Sequence, residues 1–228
     1  MTVNDLRVSD KVRDSLIIYS GGLDSTTLLY EESHRIALAV TFVYGNNHAM
    51  RETACARRNC ERLGVEHLEI DLAFMGRYFT SSLTAGADAV PEGDYADENM
   101  HSTVVPFRNG VMLSVACGLA ESRGLKRVLM ANHGGDHAVY PDCRPAFVQA
   151  MGEAMRLGTY AGIELCAPYT SLDKAEIVRR GARLGIDYGD TYSCYRGGAK
   201  HCGRCATCRE RREAFRLAGV ADPTQYEQ

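Results

Sequence analysis

Long apolar runs are missing from this 228-residue chain. The longest largely apolar stretch, Ile36 to Tyr44, falls far short of the ~20 residues of a bilayer-spanning helix. A surplus of one charge is missing too. Lys and Arg number 26 against 29 Asp and Glu, a net charge of −3, so the electrostatic footprint of a nucleic-acid binder is not expected. Met1 to Ser15 carries both signs and no apolar h-region, so the expectation is a cytoplasmic protein with no membrane association. Internal repeats, low-complexity tracts and interdomain linkers are not visible. With 45% apolar and 24% charged residues, the composition also excludes a largely disordered chain. The length suits one compact domain with an ample core.

What the chain does have is nine cysteines. An odd number without an export signal argues against a disulfide framework. Cys55, Cys60, Cys117, Cys143 and Cys166 are scattered, whereas Cys194, Cys202, Cys205 and Cys208 crowd together. Four thiolates at that spacing suit tetrahedral zinc at about 2.3 Å per bond, with no coordination site left for water, hence a structural role. Cys202-Gly203-Arg204-Cys205 has the Gly that a tight chelating turn needs. Arg204, Arg209, Arg211 and Arg212 would offset the charge of such a centre. An iron–sulfur cluster also takes four Cys, and free thiols are the third reading. His201 could replace a ligand, although a His in this setting is ordinarily solvent-exposed.

Short β-rich runs alternate with helical patterns. Strands are expected at 16–19, 36–44, 67–72, 128–131 and 163–167. Helices are expected to Tyr30 after the first strand, over 49–63 with Gly64 beyond the end, around Val111, Val115 and Leu119, over 146–158, and from Leu172 to Leu184 with Ser171 as N-cap. Such alternation implies a doubly wound α/β fold with a parallel sheet covered on both faces. Two stretches break the pattern. Residues 73–104, with Glu92, Asp94, Asp97 and Glu98, read as a lid or mobile loop. The tail from Thr191 is rich in Gly, Cys, His and Arg. The expected division is an α/β unit over 1–190 and a metal-binding tail over 191–228 packed on it.

Ser20-Gly21-Gly22-Leu23-Asp24-Ser25-Thr26-Thr27 follows the first strand and opens a helix. Exposed amides and the helix dipole there make an anion site, glycines admit phosphate closely, and the hydroxyls add donors. The loop is neither a Walker A motif nor a GxGxxG fingerprint, so NAD-dependent hydride chemistry is not indicated. Arg108, near a helix start after Val104-Val105-Pro106-Phe107, has a fork suited to phosphate or carboxylate. His133-Gly134-Gly135-Asp136-His137 and Tyr140-Pro141-Asp142-Cys143-Arg144 follow the end of a strand, where open α/β sheets bind ligands. Substrate recognition or a second metal are the alternatives there. Lys174 lies in the first turn of its helix, where a cation opposes the dipole unless it faces an anion.

Tyr19 to Thr27, Tyr44-Gly45, Val105-Pro106 with Arg108-Asn109, Tyr140 to Arg144, Asp173-Lys174-Ala175-Glu176 and the four tail cysteines together resemble the 7-cyano-7-deazaguanine synthase family. These are nitrile-forming enzymes of the queuosine and archaeosine pathways, within the ATP pyrophosphatase (PP-loop) superfamily. The resemblance implies an adenine nucleotide alpha hydrolase-like fold and an ATP-dependent ligase acting on 7-carboxy-7-deazaguanine and ammonia. It implies structural zinc on the four cysteines, ATP with Mg²⁺, and a homodimer. It assigns Tyr19, Ser20, Gly21, Gly22, Leu23, Asp24, Ser25, Thr26, Thr27, Leu28 and Leu29 to the nucleotide. Asp24, Lys174 and Arg108 would be catalytic, and Asp136, His137, Asp142 and Arg144 would serve the substrate. No nucleophilic Cys is required, so Cys143 and Cys166 are expected to be ordinary buried thiols. The chain departs from the family at Phe107, where Gly is usual and which would sit close to the base pocket, and at His137-Ala138-Val139. A paralogue adenylating another carboxylate, a tRNA-modifying PP-loop enzyme and a non-catalytic zinc-stabilised module are the rival expectations.

Overall fold

The computed structural model describes residues 13–94 and 98–227. Five parallel strands form one sheet in the order β3-β2-β1-β4-β5: β1 (Ser15–Ile18), β2 (Ile36–Val43), β3 (Glu66–Asp71), β4 (Arg127–Leu129) and β5 (Glu164–Cys166). β1 is central, with Ile17 beside Ala39 of β2 and Leu129 of β4. Period-two alternation sends Leu16, Leu38, Val40 and Val128 to one face and Ile17, Ala39 and Leu129 to the other. The first face is covered by α4 (Arg108–Ser122) and α5 (Pro145–Leu157). The second is covered by α1 (Leu23–Glu31), α6 (Lys174–Arg183) and α7 (Ala206–Ala218). α2 (Ala49–Leu63) contributes Cys55 to one core and Ala56 and Cys60 to the other, and Gly64 ends it at φ +60°. The doubly wound parallel architecture expected from the sequence is present.

The connection from β3 to β4 carries the chain across β1 to the opposite side of the sheet. That crossover leaves a crevice at the carboxyl ends of β1 and β4, the place where such sheets bind ligands. The stretch Glu98–Ser122 is long and apolar enough, by length and composition, to cross a membrane, but half of its apolar window is buried inside this protein. Met112, Leu113, Ala116 and Ala120 of α4 pack in the core.

Several expectations need correction. The helix expected from Leu172 begins at Lys174, and its N-cap is Asp173 rather than Ser171. The Asp173 carboxylate accepts from Glu176 N at 2.7 Å, a stronger cap than a hydroxyl because the acceptor is charged. The segment 73–104 is not a free lid. It contains α3 (Ala73–Tyr78) and two 3₁₀ turns, and Met75, Leu83 and Met100 are fully buried. Ser82 N donates to Ser102 O at 2.8 Å, and Asn47 Nδ2 donates to Ser82 O at 3.2 Å. These anchors are irregularly spaced, so no periodic signal marks them. Asp97 of that segment lies outside the described residues.

The tail also differs in detail. His201 is buried, not exposed: its Nε2 accepts from Ser193 N at 3.0 Å and its ring packs on Tyr192. Arg211, expected near the cysteines as a counter-charge, is 1% exposed and spends its donors elsewhere. It reaches Thr224 Oγ1 at 2.7 Å, Thr191 Oγ1 and Ser193 Oγ at 3.0 Å, and Tyr188 O at 2.9 Å. One guanidinium therefore ties both arms of the tail to α7. Truncating it would leave several buried acceptors unpaired, which costs about 3 kcal/mol. At 2–4 °C per kcal/mol for a chain of this size, Arg211→Ala should lower Tm by roughly 6–12 °C. A calorimetric shift below about 2 °C would show that the arms hold without it.

Candidate active site

The glycine loop is shaped by contact with α2. Gly21 adopts φ +86°, and a Cβ there would lie 2.3 Å from the Glu52 carbonyl oxygen, so no side chain fits. Gly22 caps α1 in extended geometry. Ser20 Oγ accepts from Gly22 N at 3.1 Å and pairs with Ser25 Oγ at 3.0 Å. From the tail, Tyr192 N donates to Gly21 O at 3.1 Å. Of the residues expected to meet the nucleotide, Tyr19, Ser20, Gly22, Leu23, Asp24 and Ser25 line a cavity of about 220 Å³ in the crevice. Thr26, Thr27, Leu28 and Leu29 are buried behind it. Thr26 bonds Tyr19 Oη at 3.1 Å and Thr27 bonds Tyr188 Oη at 2.8 Å, so their hydroxyls brace the loop.

A charge cluster closes one end of the cavity. Lys174, the first residue of α6, has its Nζ 2.5 Å from Glu210 Oε2 and 3.3 Å from Asp24 Oδ2. Burial pulls its pKa down, but Asp24, Glu210 and Asp136 outweigh burial and hold it above the ordinary lysine value. His133 Nε2 sits 3.6 Å from Asp136 Oδ1, and 3.9 Å from both Asp24 Oδ2 and Glu210 Oε1. His133 Nδ1 accepts from Gly135 N at 3.1 Å, which puts the proton of the neutral ring on Nε2, facing the acids. Asp24 Oδ1 is buried and, among the described residues, has no hydrogen-bond partner.

Arg108 lines the opposite wall with Asn109, His48, Glu52, Tyr44 and Tyr195. Burial opposes its charge, yet Tyr44, Asp142 and Cys143 keep its pKa well above the ordinary value. Asp142 Oδ2 accepts from Asn109 N at 2.8 Å, and Asp142 O accepts from Asn109 Nδ2 at 3.1 Å, so Asp142 holds the start of α4. Asp136 lines the cavity, but Asp142, Arg144 and His137 do not. Arg144 is exposed and donates to His137 O at 3.1 Å. Phe107 also differs from expectation. It caps α4 at φ +53°, the one non-glycine in left-handed geometry among the described residues, and its half-exposed ring packs edge-on against Phe147 at 5.8 Å instead of lining the cavity.

Sequence reasoning gave no role to His48 and Glu52, which line the cavity, or to Glu210, which pairs with Lys174; His133 stands against Asp24 and Asp136 without lining the cavity itself. His48 and Glu52 stand one helical turn apart just after β2, with Nε2 and Oε2 at 3.5 Å, a spacing that could have been noticed. Desolvation pushes Glu52 up to about 8 against the opposing pull of Arg108, and lowers His48 to about 4. Glu210 arrives from α7, 36 positions beyond Lys174, with no local signal.

The four tail cysteines converge, their sulfurs all within 4.8 Å of one another and all buried. Cys194 Sγ accepts from Cys202 N at 3.3 Å, and Cys202 Sγ accepts from Arg204 N and Cys205 N at 3.4 Å. Amides aimed at sulfur stabilise thiolate charge, so this donor set fits a tetrahedral metal such as zinc. Cys143 and Cys166 have thiols pushed up by burial, which keeps them protonated and inert.

A parallel sheet of this order, with a Ser-Gly-Gly loop after its central strand, defines a PP-loop α/β protein. The fold alone is shared with the NMN synthetase from Francisella tularensis, at 15% identity and a TM-score of 0.50, covering 92% of this chain and 79% of that one. Residues 14–219 match the family described as Queuosine biosynthesis protein QueC, and the chain belongs to that family. A 7-cyano-7-deazaguanine synthase of Porphyromonas gingivalis is 59% identical over 215 residues, spanning 94% of this chain and 98% of that one. Synthases of the same name from Agrobacterium fabrum (47%, 93% and 92% covered) and Caldicellulosiruptor bescii (46%, 93% and 97%) also match nearly end to end. The family is one of enzymes, and this chain is one.

If the sulfur cluster holds zinc, the purified chain should carry about one zinc per molecule by atomic spectroscopy. Cys205→Ser should lose the metal and lower Tm, because metal that binds the native state stabilises it. Metal-free wild-type protein with an unchanged Tm would refute this.

Proposed function

We propose that this enzyme converts 7-carboxy-7-deazaguanine and ammonia into 7-cyano-7-deazaguanine with ATP consumed in two adenylations. The observation that carries the reading is Lys174, buried against Asp24 and Glu210 at the mouth of the glycine loop. The near full-length relatives of that name support it.

A carboxylate does not react with ammonia at neutral pH because oxide is a poor leaving group. Attack of a carboxylate oxygen on the α-phosphorus of ATP expels pyrophosphate and gives an acyl adenylate. Ammonia then displaces AMP to leave the amide. The amide oxygen attacks a second ATP, and loss of AMP from the resulting imidate leaves the nitrile. Ser20, Gly21, Gly22, Ser25 and Thr26 would form the phosphate cradle, with Thr26 acting from behind. Lys174 would exchange a carboxylate partner for phosphate oxygen, and Arg108 would meet the charge from the other wall, so catalysis is mostly positioning and charge stabilisation. Mg²⁺, which would neutralise phosphate charge, fits Asp24, whose buried Oδ1 is unpaired, with Asp136 beside it.

The flat heterocycle fits between Phe42, Tyr44, Met112, Met130 and Tyr195, with Asn109 offering polar atoms at its edge. In this reading Asp136 can touch the ligands directly. Asp142 acts through Asn109, while Arg144 and the His137 backbone order their loop. Free ammonia is the simplest nitrogen source. Zinc on the cysteines, residues 191–228 as a tail on a catalytic unit of 1–190, a cytoplasmic homodimer and ATP-dependent ligation belong to the same proposal.

Radiolabelled ATP–pyrophosphate exchange tests it. Exchange should require 7-carboxy-7-deazaguanine, and Lys174→Ala should slow it by about 10²–10³-fold while the chain stays folded by circular dichroism. Exchange without the carboxylate, or at the wild-type rate in Lys174→Ala, would remove that substrate or that residue from the mechanism.

A further inference from the structure

Glu52 is the carboxylate in the cavity that the adenylation chemistry leaves without a task. Asp24 and Glu210 are ion-paired to Lys174, and Asp136 faces His133. Glu52 forms no ion pair with a Lys or Arg among the described residues, and its closest charged-type neighbour is His48 at 3.5 Å. Its side chain is 18% exposed. It projects from the first turn of α2 into the cavity beside the glycine loop, and a methyl group on Gly22 would lie 3.9 Å from its Oε1. Glu52 therefore stands where the phosphate cradle meets the pocket for the heterocycle. The carbon whose oxygen is adenylated must lie at that junction, because that oxygen has to reach the α-phosphorus.

This inference rests on the function proposed above, which has a proton problem. Passing from amide to nitrile removes both N–H protons: the cationic O-adenylated amide readily gives the first to released pyrophosphate or water, but the N–H of the neutral imidate is too weak an acid to lose its proton to water fast enough. We infer that Glu52 is the general base of the nitrile-forming step, taking the last N–H proton of the adenylated imidate. The N–H bond breaks and its electron pair becomes the third carbon–nitrogen bond. The carbon–oxygen bond breaks in turn, its pair leaves on AMP, and the proton rests on a Glu52 carboxyl oxygen. Charge and atoms balance with no further reagent.

The surroundings suit that task. His48 from α2 is held neutral and so does not lock Glu52 as an anion. Tyr44 after β2 is buried with its phenol pushed up, which keeps it protonated. The pull of Arg108 from α4 is outweighed by desolvation, and the group is left at about 8. Asp24 of α1 is committed to Lys174. A base with that affinity takes a proton readily and returns it to solvent readily at working pH.

The test feeds the amide directly, which removes the titration of ammonia from the pH profile. Wild-type conversion of 7-amido-7-deazaguanine to the nitrile should rise with pH and level off above about 8 as Glu52 ionises. Glu52→Gln, close to isosteric, should slow that conversion by about 10²–10⁴-fold and flatten the profile. Carboxylate-dependent pyrophosphate exchange should fall by less than tenfold in the same variant, so amide accumulates from the acid. Conversion of the amide by Glu52→Gln at the wild-type rate overturns the inference. So does a folded variant that loses exchange and conversion together, since Glu52 would then serve adenylation. Absence of exchange in the wild type instead overturns the functional reading itself.

Discussion

A lysine ammonium buried between carboxylates is the constraint on which this molecule turns. Lys174 cannot be desolvated alone, and its partners come from two separate elements: Asp24 in the first turn of α1 and Glu210 in the first half of α7. Removing one partner of such a cluster leaves an uncompensated charge, which costs more than the intact cluster gains. The glycine loop, the start of α6 and the tail are thereby fixed to one another. The tail can present Glu210 only if its two arms are folded, and the convergent sulfurs and the Arg211 guanidinium do that work. The cysteine cluster and the Lys174 cluster are therefore mechanically one system, even though the cysteines lie outside the cavity.

The cavity has two electrostatic regimes. At the Lys174 end, three carboxylates surround one lysine and one histidine, an excess of acidic groups that in the proposed reaction would receive Mg²⁺ with phosphate. At the other end, burial keeps His48 neutral and shifts Glu52 toward its neutral form, leaving Arg108 as the charged group on that wall. A low-dielectric wall strengthens the remaining charge interactions, and in the proposed reaction it would keep water from a hydrolysable acyl adenylate. In the proposed reaction that difference would let a planar, weakly polar base and a highly charged nucleotide meet in one crevice.

Much of this was legible in the sequence where the signal is local. The Ser20–Thr27 loop and the four cysteines are short-range patterns whose chemistry demands their spacing, and the strand–helix alternation fixed the sheet. What could not be read is assembled across the chain. Glu210 meets Lys174 only because α7 folds back on α6, and Asp142 bonds Asn109 without itself lining the cavity. Phe107 stands at the position where the family resemblance expects Gly. Its left-handed φ gives a backbone reason for glycine there, whereas the sequence suggested a reason in the base pocket. The segment 73–104 looked structureless because its anchors, Met75, Leu83 and Met100, follow no period.

In the proposed reaction one cavity adenylates an oxygen on the same carbon twice, first as acid and then as amide. Mass spectrometry of a single-vessel reaction with 7-carboxy-7-deazaguanine, ATP and ¹⁵N-ammonia tests it most directly, with AMP counted in the same sample. The account predicts ¹⁵N-labelled nitrile with about two AMP formed per nitrile, the stoichiometry of two activations. About one AMP per product, with the amide as the final species, would contradict it.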